Sequence, residues 1–110
     1  MSHAIKFTSE GPCGWVYYRE NEEVLPFFWQ TTTVGFDIYL PSPAEWSAFC
    51  DEHKAVTAKQ RRDEIVSRVA QEVKRKQAGR AKVSIDDTGI SFSYEGNWFR
   101  AVLEKVLGLN

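Results

Sequence analysis

The spacing of the apolar residues changes near residue 41, and this change constrains the fold more than any other feature of the sequence. Between Val34 and Leu40 apolar and polar residues alternate, as they do on a strand with one buried face. Ser42, Pro43 and Glu45 then form a capping box with proline at the first helical position. The chain is therefore predicted to leave a sheet here and to enter a short helix that runs to about residue 54.

Strand patterns lie on both sides of this helix. The segments on either side of Asn21-Glu22 are predicted to form a hairpin, and Asp86-Asp87-Thr88-Gly89 has the composition of a second hairpin turn. Pro26 cannot donate a ladder hydrogen bond, so the third strand is expected at an edge of the sheet or with a bulge at that point. The predicted strands are 4–8, 14–20, 23–31, 34–40, 80–86 and 89–95.

Two further helices are predicted. Thr57 to Gln60 repeats the signature of a helix start, and Asn97 is placed to cap a last helix that ends at Gly108. The second helix carries an apolar stripe and ends near Gly79. Because strands and helices are segregated in the order ββββααββα, we predict an α+β fold in a single domain, 1–110, with about six antiparallel strands and three helices on one face. The stripe consists of Ile65, Val66, Val69, Ala70 and Val73.

The composition excludes several classes of protein. The formal net charge of −1 gives no global reason to bind nucleic acid or an anionic membrane. No run approaches the ~20 apolar residues that span a bilayer, and the N-terminus lacks a secretory pattern. Cys13 and Cys50 are too few for a disulfide framework, so free thiols and a cytoplasmic location are expected.

The sequence offers little for catalysis. Cys50 and His53 lie three positions apart on the first helix and could form a thiol–imidazole pair, but a buried Cys50 and a solvated His53 are the simpler interpretation. No residues have the spacing of a metal site or a phosphate loop. We therefore predict no enzyme activity, no catalytic residue, no metal and no cofactor, although the pattern does not decide whether either thiol is reactive.

Acids and aromatic rings are concentrated in the first half of the chain. Residues 1–57 contain eight acids and three bases, together with many rings on consecutive predicted strands. Helices on one face of the sheet would leave some of these rings on the other face, where aromatic anchors and charges favour protein binding. Packing inside the core or in a homodimer explains the rings equally well. The predicted partner-binding residues are Trp15, Tyr17, Glu20, Glu22, Glu23, Trp29, Asp37 and Tyr39.

The second helix is basic, since residues 58–82 contain nine bases and three acids. Such a face could contact the phosphates of a nucleic acid or an acidic protein. The pairs Glu64–Arg68 and Glu72–Lys76 favour instead an ordinary solvated helix. The residues that would contact nucleic acid are Arg61, Arg62, Arg68, Arg75 and Lys76.

The segment 34–94 resembles the small single-domain immunity proteins encoded beside bacterial toxin genes. The resemblance lies in the strand GFDIYLPSP, the Pro-started helix with a Trp, the helix beginning RRDEI and the following hairpin. It implies a non-catalytic inhibitor that binds a cognate toxin domain and occludes its active site. It implies no particular contact residues, because such proteins place their contacts individually.

Overall fold

A six-stranded antiparallel sheet carries two α-helices on one of its faces. This computed structural model describes residues 2–94. The predicted α+β class and antiparallel sheet are confirmed, whereas the predicted third helix lies outside the described residues. The spatial order of the strands is β1-β2-β3-β4-β6-β5. The elements are β1 His3–Phe7, β2 Cys13–Glu20, β3 Glu23–Thr31, β4 Gly35–Tyr39, α1 Pro43–Glu52, α2 Arg62–Gln77, β5 Lys82–Asp86 and β6 Gly89–Ser93.

The position of Pro26 corrects one expectation. β3 is a central strand between β2 and β4 rather than an edge strand. The main-chain N–H and C=O groups of Gly14, Val16 and Tyr18 in β2 point toward β3. Pro26 lies opposite Tyr17, so its nitrogen points away from β2, toward the β4 side. The ladder with β4 covers only Trp29 to Thr31 of β3. The missing N–H of Pro26 therefore falls where β3 extends beyond β4, and no ladder hydrogen bond is lost.

The start of α1 follows the sequence signal. The Ser42 side chain accepts from the Glu45 N–H, and the Glu45 carboxylate accepts from the Ser42 N–H at 3.0 Å. The predicted start of the second helix at Thr57 is wrong. Residues 56–58 form a single 3₁₀ turn, and α2 begins at Arg62 without a side-chain cap. Thr57 cannot cap α2, since its hydroxyl donates instead to Glu23 at 2.6 Å.

The core lies between the sheet and the two helices. The predicted stripe of α2 is buried, and Trp46 of α1 stacks on Phe27 of β3 with ring centroids 6.2 Å apart. Trp46 also donates its Nε1–H to the carbonyl of Ala58 at 3.0 Å, which ties α1 to the 3₁₀ turn. Val34 was expected on the core face, but it precedes β4 and is 53% exposed.

No helix within residues 2–94 has the length and apolar character needed to cross a membrane.

Candidate functional site

The face of the sheet opposite the helices carries a row of aromatic side chains. Trp15 lies directly opposite Phe28 in the β2–β3 ladder, and their rings meet edge to face with centroids 5.4 Å apart. Phe28 stacks on Tyr39 of β4 at 6.1 Å, and Trp15 stacks on Tyr17 at 6.4 Å. We call these four residues the outer aromatic row. It crosses three adjacent strands without a break.

The outer aromatic row is partly open to solvent. Trp15 is 38% exposed and Tyr39 is 46% exposed, while Tyr17 and Phe28 are half-buried by their neighbours. Val24, 38% exposed, and Pro26 extend the apolar area along β3. Single exposed apolar residues are ordinary, whereas a contiguous patch of this kind is typical of interaction sites.

Two of the predicted contact residues are buried on the face of the sheet that the helices cover. Trp29 is 2% exposed, and its Nε1–H donates to the carbonyl of Thr8 at 2.7 Å beneath the sheet. Glu20 is 5% exposed. Both residues have the strand parity of the core face, and the helices cover them there, so neither side chain belongs to the exposed face of the sheet.

Glu20 is the centre of a buried ionic network. Arg61 donates to both of its carboxylate oxygens, at 2.7 and 3.2 Å, and Arg68 donates at 3.4 Å. Tyr18 donates its hydroxyl to Glu20 at 3.2 Å and accepts from Arg68 at 2.7 Å. Hydrogen bonds from Arg61, together with that from Tyr18, outweigh the effect of burial and hold the pKa of Glu20 below its ordinary value. The network joins β2 to α2, and its charges balance because the Glu64 carboxylate also pairs with both Arg61 and Arg68.

The other predicted acids do not gather around the rings. Glu23 accepts hydrogen bonds from the N–H and the hydroxyl of Thr57, and Glu22 lies in the β2–β3 turn. Only Asp37 shares the outer face with the aromatic row, as its position between Phe36 and Ile38 requires. Lys6 and Arg19 are exposed on the same face, so its charges are mixed rather than acidic.

The bases of α2 are occupied within the chain. Arg62 donates to the carbonyls of Pro41 and Asp87 at 2.9 and 3.0 Å and lies 5.8 Å above the Trp46 ring. Arg75 and Lys76 both pair with Glu72. Together with the pairing of Arg61 and Arg68, these contacts place all five predicted phosphate-binding side chains against groups of the chain itself. Arg61, Arg68, Arg75 and Lys76 have carboxylate partners within the chain, whereas Arg62 bonds to carbonyl groups, which leave its charge uncompensated.

Cys50 of α1 and His53, the residue after α1, lie in different surroundings. Cys50 is fully buried, and burial raises the pKa of its thiol. His53 packs its ring edge against Phe49 with centroids 4.7 Å apart. A thiol in such surroundings is a poor nucleophile. Within residues 2–94 no cluster of three or more His, Cys, Asp or Glu side chains could hold a metal ion.

The sequence reasoning omitted four residues of the outer face from the predicted contact set: Phe28, Val24, Lys6 and Arg19. A signal for Phe28 was present. The two-residue turn at Asn21-Glu22 fixes the register of the hairpin, and that register puts Phe28 opposite Trp15. Lys6 required the pairing of β1 with β2, which no local pattern specifies.

Comparisons with known proteins found no matching family model, no matching curated protein and no matching solved structure.

Proposed function

We propose that this chain is a non-catalytic protein-binding module that contacts its partner through the outer aromatic row. The observation that carries the proposal is the uninterrupted contact from Trp15 through Phe28 to Tyr39 on a sheet face that the described helices leave open. Aromatic anchors dominate the energetics of protein interfaces, because they bury a large area with few rotatable bonds.

The row is already organised for binding. Each ring is held by a neighbouring ring and by a strand in the middle of the sheet, so little conformational freedom is lost when a partner covers it. Tyr17 and Tyr39 also present hydroxyl groups that can hydrogen-bond to water or to polar groups at the edge of an interface. This arrangement supports recognition of a preformed surface.

The mixed charges of the outer face define the partner more closely. Lys6 and Arg19 are exposed on β1 and β2, and Asp37 lies on β4 beyond the row. The complementary partner has an apolar patch with carboxylates opposite Lys6 and Arg19.

The resemblance to immunity proteins supports a toxin domain as this partner. In that case the chain inhibits by covering the active site of the toxin. Inhibition of this kind requires no catalytic group, and the burial of Cys50, which raises the pKa of its thiol, supports such a role.

The test is coexpression with the toxin-like product of a neighbouring gene, scored by cell growth and by copurification. The double variant Trp15→Ala/Tyr39→Ala is expected to lose both protection and copurification. Val56→Ala is the matched control, since Val56 is an apolar residue with 68% exposure on the 3₁₀ turn rather than on the outer face. Equal protection by the double variant and wild type would refute the outer face as the binding surface.

A second measurement distinguishes a protein partner from a nucleic-acid partner. Exposed rings with nearby cations can also stack the bases of a single strand. We expect no binding of a labelled single-stranded oligonucleotide at low salt. Binding that the Trp15→Ala/Tyr39→Ala change abolishes would assign the outer aromatic row to nucleic acid and contradict the proposal.

A further inference from the structure

β5 forms one edge of the sheet, and within residues 2–94 it pairs with β6 alone. The Tyr94 N–H donates to Val34, and the Leu40 N–H donates to Thr88, so even-numbered residues of β6 face β4. Odd-numbered residues of β6 therefore face β5.

The register then fixes which main-chain groups of β5 lie on the open edge. Ser84 is opposite Ser91, so Lys82, Ser84 and Asp86 exchange hydrogen bonds with β6. The N–H and C=O groups of Val83 and Ile85 point away from the sheet. They form a short row of donors and acceptors that a further strand can use.

The same two residues carry the apolar side chains of β5. They lie on the helix side of the sheet, because their partners Phe92 and Ile90 are buried there. Ile85 is 50% exposed at a groove of about 280 Å³ that Val66 of α2 also lines. The edge thus combines main-chain hydrogen-bonding groups with an apolar side chain that is incompletely covered.

We propose that a second copy of this chain binds this edge, with β5 antiparallel to the partner's β5 about a two-fold axis at Ser84. In this register Val83 is opposite the partner's Ile85, and the two residues have the main-chain orientation of a hydrogen-bonded pair. Lys82 is opposite the partner's Asp86 on the outer side of the sheet. The interface gains about four main-chain hydrogen bonds, two apolar pairs and two pairs of opposite charge.

The self-complementarity of β5 is the reason for choosing a second copy over an unrelated strand. Its sequence, KVSID, has a base at one end and an acid at the other, so reversal about the central serine matches opposite charges. The other edge strand, β1, lacks this property. In β1 the Thr8 N–H donates to Trp15, so the N–H and C=O groups of Ile5 point away from β2 toward the open edge. An antiparallel pair of β1 strands centred on Ile5 would place Lys6 opposite the partner's Ala4, without a pair of opposite charges.

The resulting dimer contains one continuous sheet of about twelve strands. A two-fold axis perpendicular to that sheet keeps both outer aromatic rows on the same side. The inference does not depend on the proposed function, because β5 and the outer aromatic row share no residue.

The test is sedimentation analysis of the full chain over a dilution series. Wild type is expected to show twice the monomer mass at high concentration. Ile85→Lys places a charge opposite the apolar side chain of the partner's Val83, and Ile85→Pro removes an edge N–H without removing a bond to β6. Both variants are therefore expected to be monomeric at the same concentrations. Lys82→Glu is expected to weaken the dimer by about tenfold or more.

The controls separate this interface from others. Trp15→Ala is expected to leave the dimer intact, since it lies on β2, away from the edge. Urea unfolding of Ile85→Lys is expected to match that of wild type at concentrations where both are monomeric, which excludes a folding defect. A wild-type monomer at every concentration, a dimer that survives both Ile85 changes, or a dimer lost with Trp15→Ala would overturn the inference.

Discussion

Replacement of Glu20 by glutamine tests the buried ionic network most directly. Removing one member of a buried ion pair costs roughly 3–5 kcal/mol, because a charge is left without compensation. Here Arg61 and Arg68 are 24% and 29% exposed, and both also pair with Glu64. The principal loss is therefore one strong charge-assisted hydrogen bond and part of the charge compensation. We expect a decrease of about 2–3 kcal/mol in the free energy of unfolding.

The assay is urea unfolding at pH 7, followed by tryptophan fluorescence. Glu72→Gln is the matched control, because it makes the same chemical change in an ion pair whose partner Arg75 is 67% exposed. Its effect should be much smaller. The reasoning is refuted if Glu20→Gln costs less than about 1 kcal/mol, or no more than Glu72→Gln costs.

The pH dependence gives an independent check on the same residue. The pKa of Glu20 is lower in the folded state than the ordinary value of 4.5, chiefly because Arg61 donates to its carboxylate. A carboxylate of this kind stabilises the fold fully above its unfolded-state pKa, and the stabilisation is lost as the pH falls toward its folded-state pKa. The difference in the free energy of unfolding between wild type and Glu20→Gln should therefore decrease as the pH falls below about 4.5. A difference that stays constant down to pH 3 would contradict the assignment.

Two further predictions concern packing and thiol accessibility. Gly35→Ala should destabilise the fold by about 1–3 kcal/mol, because the added Cβ would collide with the carbonyl oxygen of Phe92. In the control variant Gly79→Ala the added Cβ meets open space, so the midpoint of thermal unfolding should change little. Similar thermal midpoints for the two variants would contradict this prediction. Iodoacetamide should label the partly exposed Cys13 in the native protein and should label Cys50 only after unfolding, since burial raises the pKa of the Cys50 thiol. Mass spectrometry measures both sites, and equal labelling rates in the native state would show that Cys50 is accessible.

The sequence predicted the features that short-range geometry controls. The Ser42–Glu45 capping box, the β2–β3 hairpin and the alternation in β4 depend on residues within a few positions of one another. Each was found at or near its predicted place. Within the candidate site, the alternation of β4 places Tyr39 on the face away from Phe36 and Ile38, and Tyr39 is exposed there.

The errors arose where a distant residue changed the role of a local pattern. Thr57 has the sequence context of a helix cap, but Glu23, 34 positions earlier, accepts its hydroxyl hydrogen bond. Glu20 belongs to an acidic segment, but Arg61, 41 positions later, compensates its charge beneath the sheet. Composition counted both acids as available for a partner, and no pattern within either strand revealed these contacts.

The sequence by itself determined which residues share a face of each strand and where the first helix begins, since both depend on backbone periodicity and on hydrogen bonds between near neighbours. Only the tertiary structure decided that the helices cover the Glu20 and Trp29 side of the sheet and leave Trp15, Phe28 and Tyr39 on the other. Alternation assigns the residues of a strand to two faces but does not show which face is buried. The choice between the faces is made when α1 and α2 bury their apolar sides, and the bases of α2 then meet carboxylates of their own chain.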